Sequence, residues 1–476
     1  MSTDLSFYFL LLGIAWVLLV VRTIRHVHAV GGGSVGLPAA MLMAMSFLYG
    51  GSFVYAVPGY THLRAGGSSY LQGYNFSEWL VMQGTFASLL AILGFAIGCG
   101  VLMPRKRRAA MVTGQHQVPP RAYEQKMVIL LGSIGLVSFG LHFFQVSFPM
   151  SDSLIEAGRN VAVVALCLGA YLAKRDGRSI IIWVSLAVLV PLYYLLIFGF
   201  VSYGFIFSTI LAAFWMAQIR QKRVGLGRFR MALLSVGVVY LLLTMFVGWM
   251  SFRDEIRLSA WENVGGSVLS IVQDAILNTE LFSPWNFQAL DQVNTRLNLP
   301  IFIGKMIERH TLHPELQQYG ATLIILPLVL LPRFIWSGKP VRGGSDFMEE
   351  QTGMMLSDST TFGTGSVMEF YLNFGYIGVF LGFVVLGWII RRIDRMAARY
   401  LVQGDYFKFA RLFLVGIVAI DPLLRPFFIV NGAVFAWIFM TIVGLAMSGR
   451  FRRVKYKSRN EISDSVPRQR SPGKSR

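Results

Sequence analysis

The chain has 476 residues, of which 55% are hydrophobic and 14% are charged, and 37 of them are phenylalanine. A single soluble core cannot bury that much apolar surface, so the composition excludes a soluble globular protein and predicts an all-α, polytopic membrane protein. The formal net charge of +19 could indicate nucleic-acid binding. However, the cations cluster at the ends of apolar segments, as membrane topology requires, and this pattern argues against a nucleic-acid partner.

The apolar segments set the number of predicted spans. A transmembrane helix needs about 20 mostly apolar residues to cross roughly 30 Å of hydrocarbon. The uncharged stretch 179–218 is about twice that length and predicts a helical hairpin that turns near residues 199–204. In the stretch 409–448, Pro422 and Pro426 interrupt the helix, which again predicts two spans. The predicted spans are residues 6–21, 37–57, 80–103, 127–148, 160–173, 179–198, 200–218, 231–250, 371–390, 409–424 and 427–448.

The first apolar run could be a cleaved signal peptide or a retained span, and the two cysteines could form a disulfide or stay free. Residues 6–21 are followed by Arg22 and Arg25 and lack a small-residue cleavage site. We therefore predict a retained span and not a secretory signal. Cys99 and Cys167 both fall within apolar segments, which argues against a disulfide framework.

The distribution of Lys and Arg predicts the orientation. One set of alternate loops holds 32 of the 43 Lys and Arg residues but only 6 of the 24 acidic residues. If this set is cytoplasmic, the eleven spans place the N-terminus outside and the C-terminus inside. A twelfth crossing at Leu323–Trp336 would place a basic loop outside, so we predict a re-entrant or surface-lying helix there. The cytoplasmic set comprises residues 22–36, 104–126, 174–178, 219–230, 391–411 and 449–476.

This topology divides the chain into four regions. Residues 1–250 contain spans 1 to 8, and residues 251–370 form a large outer loop that we expect to contain short helices and the functional residues. Residues 371–448 contain spans 9 to 11. The basic tail, residues 449–476, is rich in Ser, Arg and Pro and is predicted to be disordered.

The outer loop contains cations that topology does not explain. Arg253 lies just beyond a span, Arg333 follows a proline, and Arg342 precedes two glycines whose backbone amides could also face an anion. Because a guanidinium group can bind two phosphate oxygens at once, these three residues predict a diphosphate clamp. The alternative is that each arginine pairs with a neighbouring carboxylate or with a lipid headgroup.

Several other side chains near the end of this loop could take part in chemistry. Glu369 precedes an apolar span, where it could be a general base or a helix N-terminal carboxylate favoured by the helix dipole. Asp421 and Arg425 are four residues apart, which predicts an ion pair that could support the site. Trp336 and Tyr371 could stack on sugar rings or anchor the chain at the membrane interface. The histidines show no metal-ligand spacing, so no metal site is predicted.

Two motifs resemble those of the Wzy-type oligosaccharide repeat-unit polymerases, which act in O-antigen and exopolysaccharide assembly. Residues 332–340, Pro-Arg-Phe-Ile-Trp-Ser-Gly-Lys-Pro, are similar to the family's proline-arginine segment before a Lys-Pro pair. Residues 365–375, Gly-Ser-Val-Met-Glu-Phe-Tyr-Leu-Asn-Phe-Gly, are similar to the family's block that leads into a late span. The motif resemblance covers roughly residues 330–380, and the topology resembles the family over the whole chain.

The resemblance implies a metal-independent, GT-C-like glycosyltransferase of the bacterial inner membrane, with a periplasmic N-terminus and large loop and a cytoplasmic C-terminus. It would transfer the growing glycan from undecaprenyl diphosphate to the non-reducing end of an incoming lipid-linked repeat unit. No cofactor is implied, membrane lipid surrounds the enzyme, and a chain-length regulator and a flippase are candidate partners. The expected roles are proton acceptor for Glu369 or Asp346, diphosphate binding for Arg253, Arg333, Lys339, Arg342 and Arg425, and sugar binding for Trp336, Tyr371 and Asn373.

Three other functions are compatible with parts of this pattern. An O-antigen ligase would use the same donor and a different acceptor, and it would make one transfer where a polymerase makes a ladder. A polysaccharide or lipid transporter would more often show internal repeats and charges near the bilayer centre, which this chain lacks. A scaffold subunit would not need the arginine-rich outer loop.

Overall fold

The structure is a computed structural model. It is described here over the ranges in which the chain is well placed, and every statement about structure below refers to them. The described residues are 5–29, 33–61, 76–102, 119–144, 146, 151–198, 201–219, 237, 240, 241, 243–250, 252, 270, 273, 277, 281–331, 335, 336, 338, 345–355, 363 and 365–451.

The described residues are mostly helical, and none of them lies in a β-strand. A 3₁₀ segment, Gly50–Ala56, continues the second helix, and a second one, Leu326–Leu330, follows the tenth. The helices are α1 Ser6–Ala29, α2 Leu37–Tyr49, α3 Glu78–Gly98, α4 Arg121–Phe143, α5 Ser151–Arg175, α6 Ile181–Phe198, α7 Val201–Ile219, α8 Phe287–Leu297, α9 Pro300–Leu312, α10 Ala321–Ile324, α11 Ser345–Thr352, α12 Gly365–Gln403, α13 Tyr406–Ala419 and α14 Pro426–Phe451.

The predicted class, an all-helical polytopic membrane protein, is confirmed. Seven of the described helices are long and apolar enough to cross a bilayer, and α6 and α7 add two shorter apolar helices. The predicted span 231–250 is described only in part, and its described residues from 237 onward are helical. The count of eleven spans therefore stays a prediction.

The uncharged stretch forms two helices that pack against each other, as expected for a hairpin. The rings of Tyr194 and Phe207 stack with centroids 5.1 Å apart. Gly204 faces the backbone of Pro191, so a side chain there would press on α6. Since the missing Cβ lets the two backbones approach, the pair buries a continuous apolar surface.

The helix α3 lies at the centre of the packing. It contacts α9 through Gly84 and Gly304 and contacts α12 through Gly94, Gly98 and Gly387. A Cβ at any of these glycines would lie within 3 Å of a backbone atom of the facing helix. Small residues at membrane helix interfaces allow such close backbone contact, and here α9 packs on the first half of α3 and α12 on its second half.

A buried ion pair organises one end of the bundle. Arg391 and Asp394, one turn apart on α12, are both buried and pair at 2.5 Å. Asp394 Oδ1 also accepts hydrogen bonds from Ser34 Oγ at 3.1 Å, from the Val35 amide at 2.9 Å and from the Leu37 amide at 3.2 Å. This carboxylate therefore stabilises the N-terminus of α2, where the helix dipole favours negative charge.

The same end of the bundle contains a second polar cluster. Arg175 donates two hydrogen bonds to the carboxylate of Glu124, each 2.6 Å long, and Tyr406 Oη donates to Glu124 at 2.9 Å. Gln218, in the last turn of α7, donates a hydrogen bond from Nε2 to the Ser34 carbonyl at 2.9 Å. The described parts of the predicted cytoplasmic loops therefore contain two polar clusters, and the orientation in the membrane stays a prediction.

The last third of the chain differs from the expected pattern in one respect. The helix α12 is interrupted at Phe374 (φ −144°, ψ 22°) and Gly375 (φ 60°, ψ −149°), so it consists of two helical segments, 365–373 and 376–403. The conformation of Gly375 is one that only glycine adopts readily. The run predicted as a re-entrant or surface-lying helix contains, in its described part, only α10 and the 3₁₀ segment that follows.

Candidate functional site

A long apolar groove runs along α12 between α13, α14 and the segment 310–326. Its volume is about 1260 Å³. Four lining side chains of α12, Phe374, Ile377, Leu381 and Val385, are also 51 to 70% exposed, so the groove opens sideways toward the surrounding bilayer. From Phe374 to Ile389 the lining face is about 22 Å long at 1.5 Å per residue. That length approaches the thickness of the hydrocarbon core.

One end of the groove is polar, and no described Asp, Glu, Lys or Arg lines it. The side chains that provide this polarity are His310, Gln317, Ser366 and Asn373. They lie close to the N-terminal end of α12, opposite the end that carries the Arg391–Asp394 pair. Neutral hydrogen-bonding groups at the end of an apolar groove suit a ligand with a long apolar chain and a hydroxyl-bearing head.

A buried ion pair lies beside this polar end. Glu369 is 1% exposed, and its Oε2 accepts a hydrogen bond from Arg425 Nε at 2.5 Å. The Arg425 guanidinium lies over the ring of Phe347, 4.0 Å from its centroid. The ring and the carboxylate together fix the plane of the guanidinium, so its terminal amino groups have a defined direction.

The loop between α13 and α14 brings Arg425 to Glu369. The carbonyl of Leu423 accepts from the Gly365 amide at 3.1 Å, and the carbonyl of Leu424 accepts from Ser366 Oγ at 2.8 Å. Tyr49 Oη donates to the Pro422 carbonyl at 3.4 Å. The break caused by the prolines leaves these carbonyls without helical partners, and the start of α12 supplies the missing donors.

The ion pair predicted from local spacing was between Asp421 and Arg425. In the structure the guanidinium of Arg425 pairs with Glu369, 56 positions away. Asp421 Oδ1 accepts from the amide of Leu423 at 2.9 Å, which is the usual turn geometry of an aspartate before a proline-containing loop. The spacing argument assumed a regular helix, and Pro422 prevents one.

Asn373 is fully buried and hydrogen-bonded on every side. Its Oδ1 accepts from the Gly320 amide at 2.9 Å, and its Nδ2 donates to Thr322 Oγ1 and to the Glu369 carbonyl, both at 2.7 Å. Both amide hydrogens are therefore engaged within the protein, which leaves no free donor for the sugar contact expected of this residue. The contacts support a positioning role, in which Asn373 holds the segment around Gly320 against the first part of α12.

Two glutamines complete that junction. The side-chain Nε2 of Gln317 donates to the Tyr371 carbonyl at 3.2 Å, and the backbone N–H of Gln318 donates to the Leu372 carbonyl at 3.1 Å. These carbonyls would bond to the next helical turn if α12 were continuous, so the interruption frees them. Sequence reasoning missed both glutamines. The signal was available, because Asn-Phe-Gly at 373–375 inside an apolar run indicates a helix break whose carbonyls need partners.

The remaining candidate side chains lie around the same junction. Tyr371 is nearly buried, with its ring edge-on to His310 at 6.3 Å between centroids. Trp336 packs edge-on against Phe427 at 6.0 Å, near the start of α14. Asp346 is exposed in the first turn of α11, one residue before the Phe347 ring that underlies Arg425.

Four of the predicted diphosphate ligands cannot be placed relative to these groups. Arg253, Arg333, Lys339 and Arg342 lie outside the described residues. Of the predicted set, the structure brings Glu369 and Arg425 together. Across the described ranges, no group of three or more His, Cys, Asp or Glu side chains is arranged to hold a metal ion.

Comparison of the chain with protein-family models, curated proteins and solved structures finds no significant match to any of them. The functional argument therefore depends on the groove, on the ion pair beside it and on the motifs of the sequence.

Proposed function

We propose that this protein is a membrane-embedded glycosyltransferase that polymerises lipid-linked oligosaccharide repeat units, in the manner of the Wzy-type polymerases that its motifs resemble. The donor would be a glycan on undecaprenyl diphosphate, and the acceptor would be the non-reducing end of another lipid-linked repeat unit. The main support is the combination of a bilayer-open apolar groove with a buried Glu369–Arg425 pair at its polar end.

The groove supports a polyprenyl carrier as the ligand. A chain of isoprene units gains binding energy from apolar area removed from water or loosely packed lipid, and the groove presents such area over about 22 Å of α12. With the chain in the groove, the diphosphate and first sugar would lie near Ser366 and Gln317. Neutral amide and hydroxyl groups there could hydrogen-bond to sugar hydroxyls without competing for the phosphate charge.

Arg425 supplies a fixed positive charge for the leaving group. Its Nε is held by Glu369, so the terminal guanidinium nitrogens remain as donors for a diphosphate oxygen. In the proposed step, a hydroxyl oxygen of the acceptor sugar attacks the anomeric carbon of the donor, and the bond from that carbon to the diphosphate oxygen breaks. The electron pair leaves with the lipid diphosphate, whose charge Arg425 stabilises, together with the predicted Arg253, Arg333, Lys339 and Arg342.

Glu369 has two candidate roles in this step. It could accept the proton of the attacking hydroxyl through Oε1, with Asp346 as the alternative acceptor. It could instead act only through Arg425, by holding the guanidinium in place. Glu369→Gln separates these roles, because the amide keeps an oxygen for Arg425 Nε and loses the basicity.

The proposal is tested with purified protein and a synthetic lipid-linked repeat unit in liposomes. A ladder of products on the lipid carrier is expected from the polymerase. A single transfer to a different acceptor would indicate a ligase, and unchanged substrate that crosses the membrane would indicate a transporter. Arg425→Ala is expected to reduce the rate by about 100-fold or more, the usual effect of removing one group that stabilises developing charge.

The controls separate chemistry from folding. Arg392→Gln removes an exposed arginine at the opposite end of α12 and is expected to leave the product ladder unchanged. Arg425→Lys keeps the charge but loses the planar fork, so an intermediate rate is expected. If Arg425→Ala gave the wild-type ladder at the wild-type rate, Arg425 would have no part in diphosphate binding.

A further inference from the structure

The other end of the groove contains a stacked arginine. Trp437 of α14 lines the groove, and the guanidinium of Arg411 on α13 lies over its ring, 5.6 Å from the centroid. The next residue, Leu412, and Val415 one turn on also line the groove. Ile393 of α12 completes this end. A cation is therefore placed where an otherwise apolar groove ends.

Arg411 has unused hydrogen-bonding capacity. Its Nε is buried, and no acceptor among the described residues reaches it. The nearest acidic residue along α13, Asp405, pairs with Lys408 at 2.8 Å and also accepts from the Lys408 amide. Because Nε itself is covered by protein atoms, an acceptor from outside the chain would meet the terminal amino groups of the guanidinium.

The position of Arg411 relative to the membrane indicates what that acceptor is. Arg411 is the sixth residue of α13, at the end of the bundle that holds the Arg391–Asp394 and Arg175–Glu124 pairs. The predicted topology places this end at the cytoplasmic surface, at the level of lipid headgroups. Basic pockets between transmembrane helices at this level suit anionic lipid headgroups, whose phosphate oxygens accept from guanidinium groups.

We propose that Arg411 and Trp437 form a binding site for the phosphate of an anionic glycerophospholipid, with one of its acyl chains in the adjoining part of the groove. The apolar lining favours a lipid over a soluble phosphate, because a free anion would gain nothing from Leu412, Val415 and Ile393. The site lies at the opposite end of the groove from Glu369 and Arg425, and it does not depend on the glycosyltransferase proposal.

The chain offers a matched control for Arg411. Arg392 lies at the same end of the bundle and also stacks on a tryptophan, with its guanidinium 5.9 Å from the Trp388 ring. Arg392 is exposed, however, and Trp388 is not part of the groove lining. Arg392→Gln therefore removes the same charge from the same surface without changing the proposed site.

The experiment is native mass spectrometry of the full-length protein with added phosphatidylglycerol or phosphatidylcholine of identical acyl chains. The wild type is expected to bind phosphatidylglycerol preferentially, and Arg411→Gln is expected to weaken that binding roughly fivefold, as one lost arginine contact near the headgroups implies. Arg392→Gln is expected to bind within about twofold of the wild type. Val415→Trp keeps every charge but fills the groove, and it is expected to release the bound phosphatidylglycerol even if Arg411→Gln does not fold.

Four results would overturn the proposal. They are an unchanged phosphatidylglycerol preference in Arg411→Gln, an equal loss in Arg392→Gln, retention of the lipid by Val415→Trp, and displacement of the lipid by inorganic phosphate at similar concentration. Tighter binding of a polyprenyl phosphate than of phosphatidylglycerol at this site would also reject the glycerophospholipid as the occupant.

Discussion

The two ends of α12 each carry a buried arginine–carboxylate pair with a contact of 2.5 Å, yet the pairs differ in what surrounds them. Asp394 accepts three further hydrogen bonds from Ser34, Val35 and Leu37, which fasten it to the start of α2. Glu369 uses one oxygen for Arg425 and lies beside the groove. A buried ion pair is thus no evidence of a functional site by itself. Its position beside the polar end of the groove is what distinguishes the second pair.

The prediction with the largest expected effect tests whether the Arg391–Asp394 pair stabilises the fold. Asp394→Ala removes the partner of a buried arginine and three acceptor contacts at the start of α2, so the free energy of unfolding should fall by about 3–5 kcal/mol. The measurement is reversible unfolding of the purified protein in bicelles. We expect the activity per folded molecule to be preserved, because the pair is far from the groove's polar end.

The matched control is Asp405→Ala at the same end of the bundle. Asp405 is a partly exposed N-cap residue of α13 that also pairs with Lys408. Its removal should cost about 1 kcal/mol, the usual value for a lost N-cap. Equal losses in the two variants would contradict the distinction between a buried pair and a partly exposed one.

Apolar length predicted the helical class and the paired helices α6 and α7, while the orientation drawn from the order of cations stays a prediction. These features follow from local composition. The Glu369–Arg425 pair could not be predicted in the same way, because the two residues are 56 positions apart and meet only through the loop that contains Pro422. Arg391 shows the converse. It was counted as a topological cation, although its partner Asp394 lies one turn away on the same helix.

The groove itself also lay beyond sequence reasoning. Each helix that lines the groove is apolar enough to face either lipid or protein. Which face of α12 stays open to the groove depends on how α12 packs on α3 through Gly94, Gly98 and Gly387. The motif at 373–375 was recognised by its residues alone. Only the three-dimensional contacts show that it is a helix break to which the segment 317–322 binds.

A second prediction sharpens the comparison at the functional end. Asn373→Ala leaves the Gly320 amide and the Thr322 hydroxyl without their partner, which should lower the free energy of unfolding by about 2–3 kcal/mol. Because Asn373 also bonds to the Glu369 carbonyl, we expect the rate of polymer formation per folded molecule to fall as well. The unfolding measurement and the liposome assay are made on the same preparation.

Thr322→Ala provides the graded control, since it removes one of the three hydrogen bonds of Asn373 and leaves the other two. Its cost should be about 1 kcal/mol, with a small change in rate. If Asn373→Ala lost stability but kept the full rate, the junction would be a structural element of the fold only, and the distinction between the two ends of α12 would depend on Glu369 and Arg425 alone.

The smallest expected effect concerns the break in α12. Gly375→Ala places a side chain on a residue with φ 60° and ψ −149°, and no heavy atom lies within 4 Å of the new Cβ, so only backbone strain opposes it. That strain should cost about 1–2 kcal/mol, or α12 should straighten and displace the segment 317–322 from its carbonyls. Gly132→Ala is the matched control, because Gly132 is an ordinary helical residue of α4 with equally open space around its Cβ. This control should leave stability unchanged or slightly raised. Equal behaviour of the two variants would mean that the interruption at Gly375 is not needed to hold the first part of α12 against the groove.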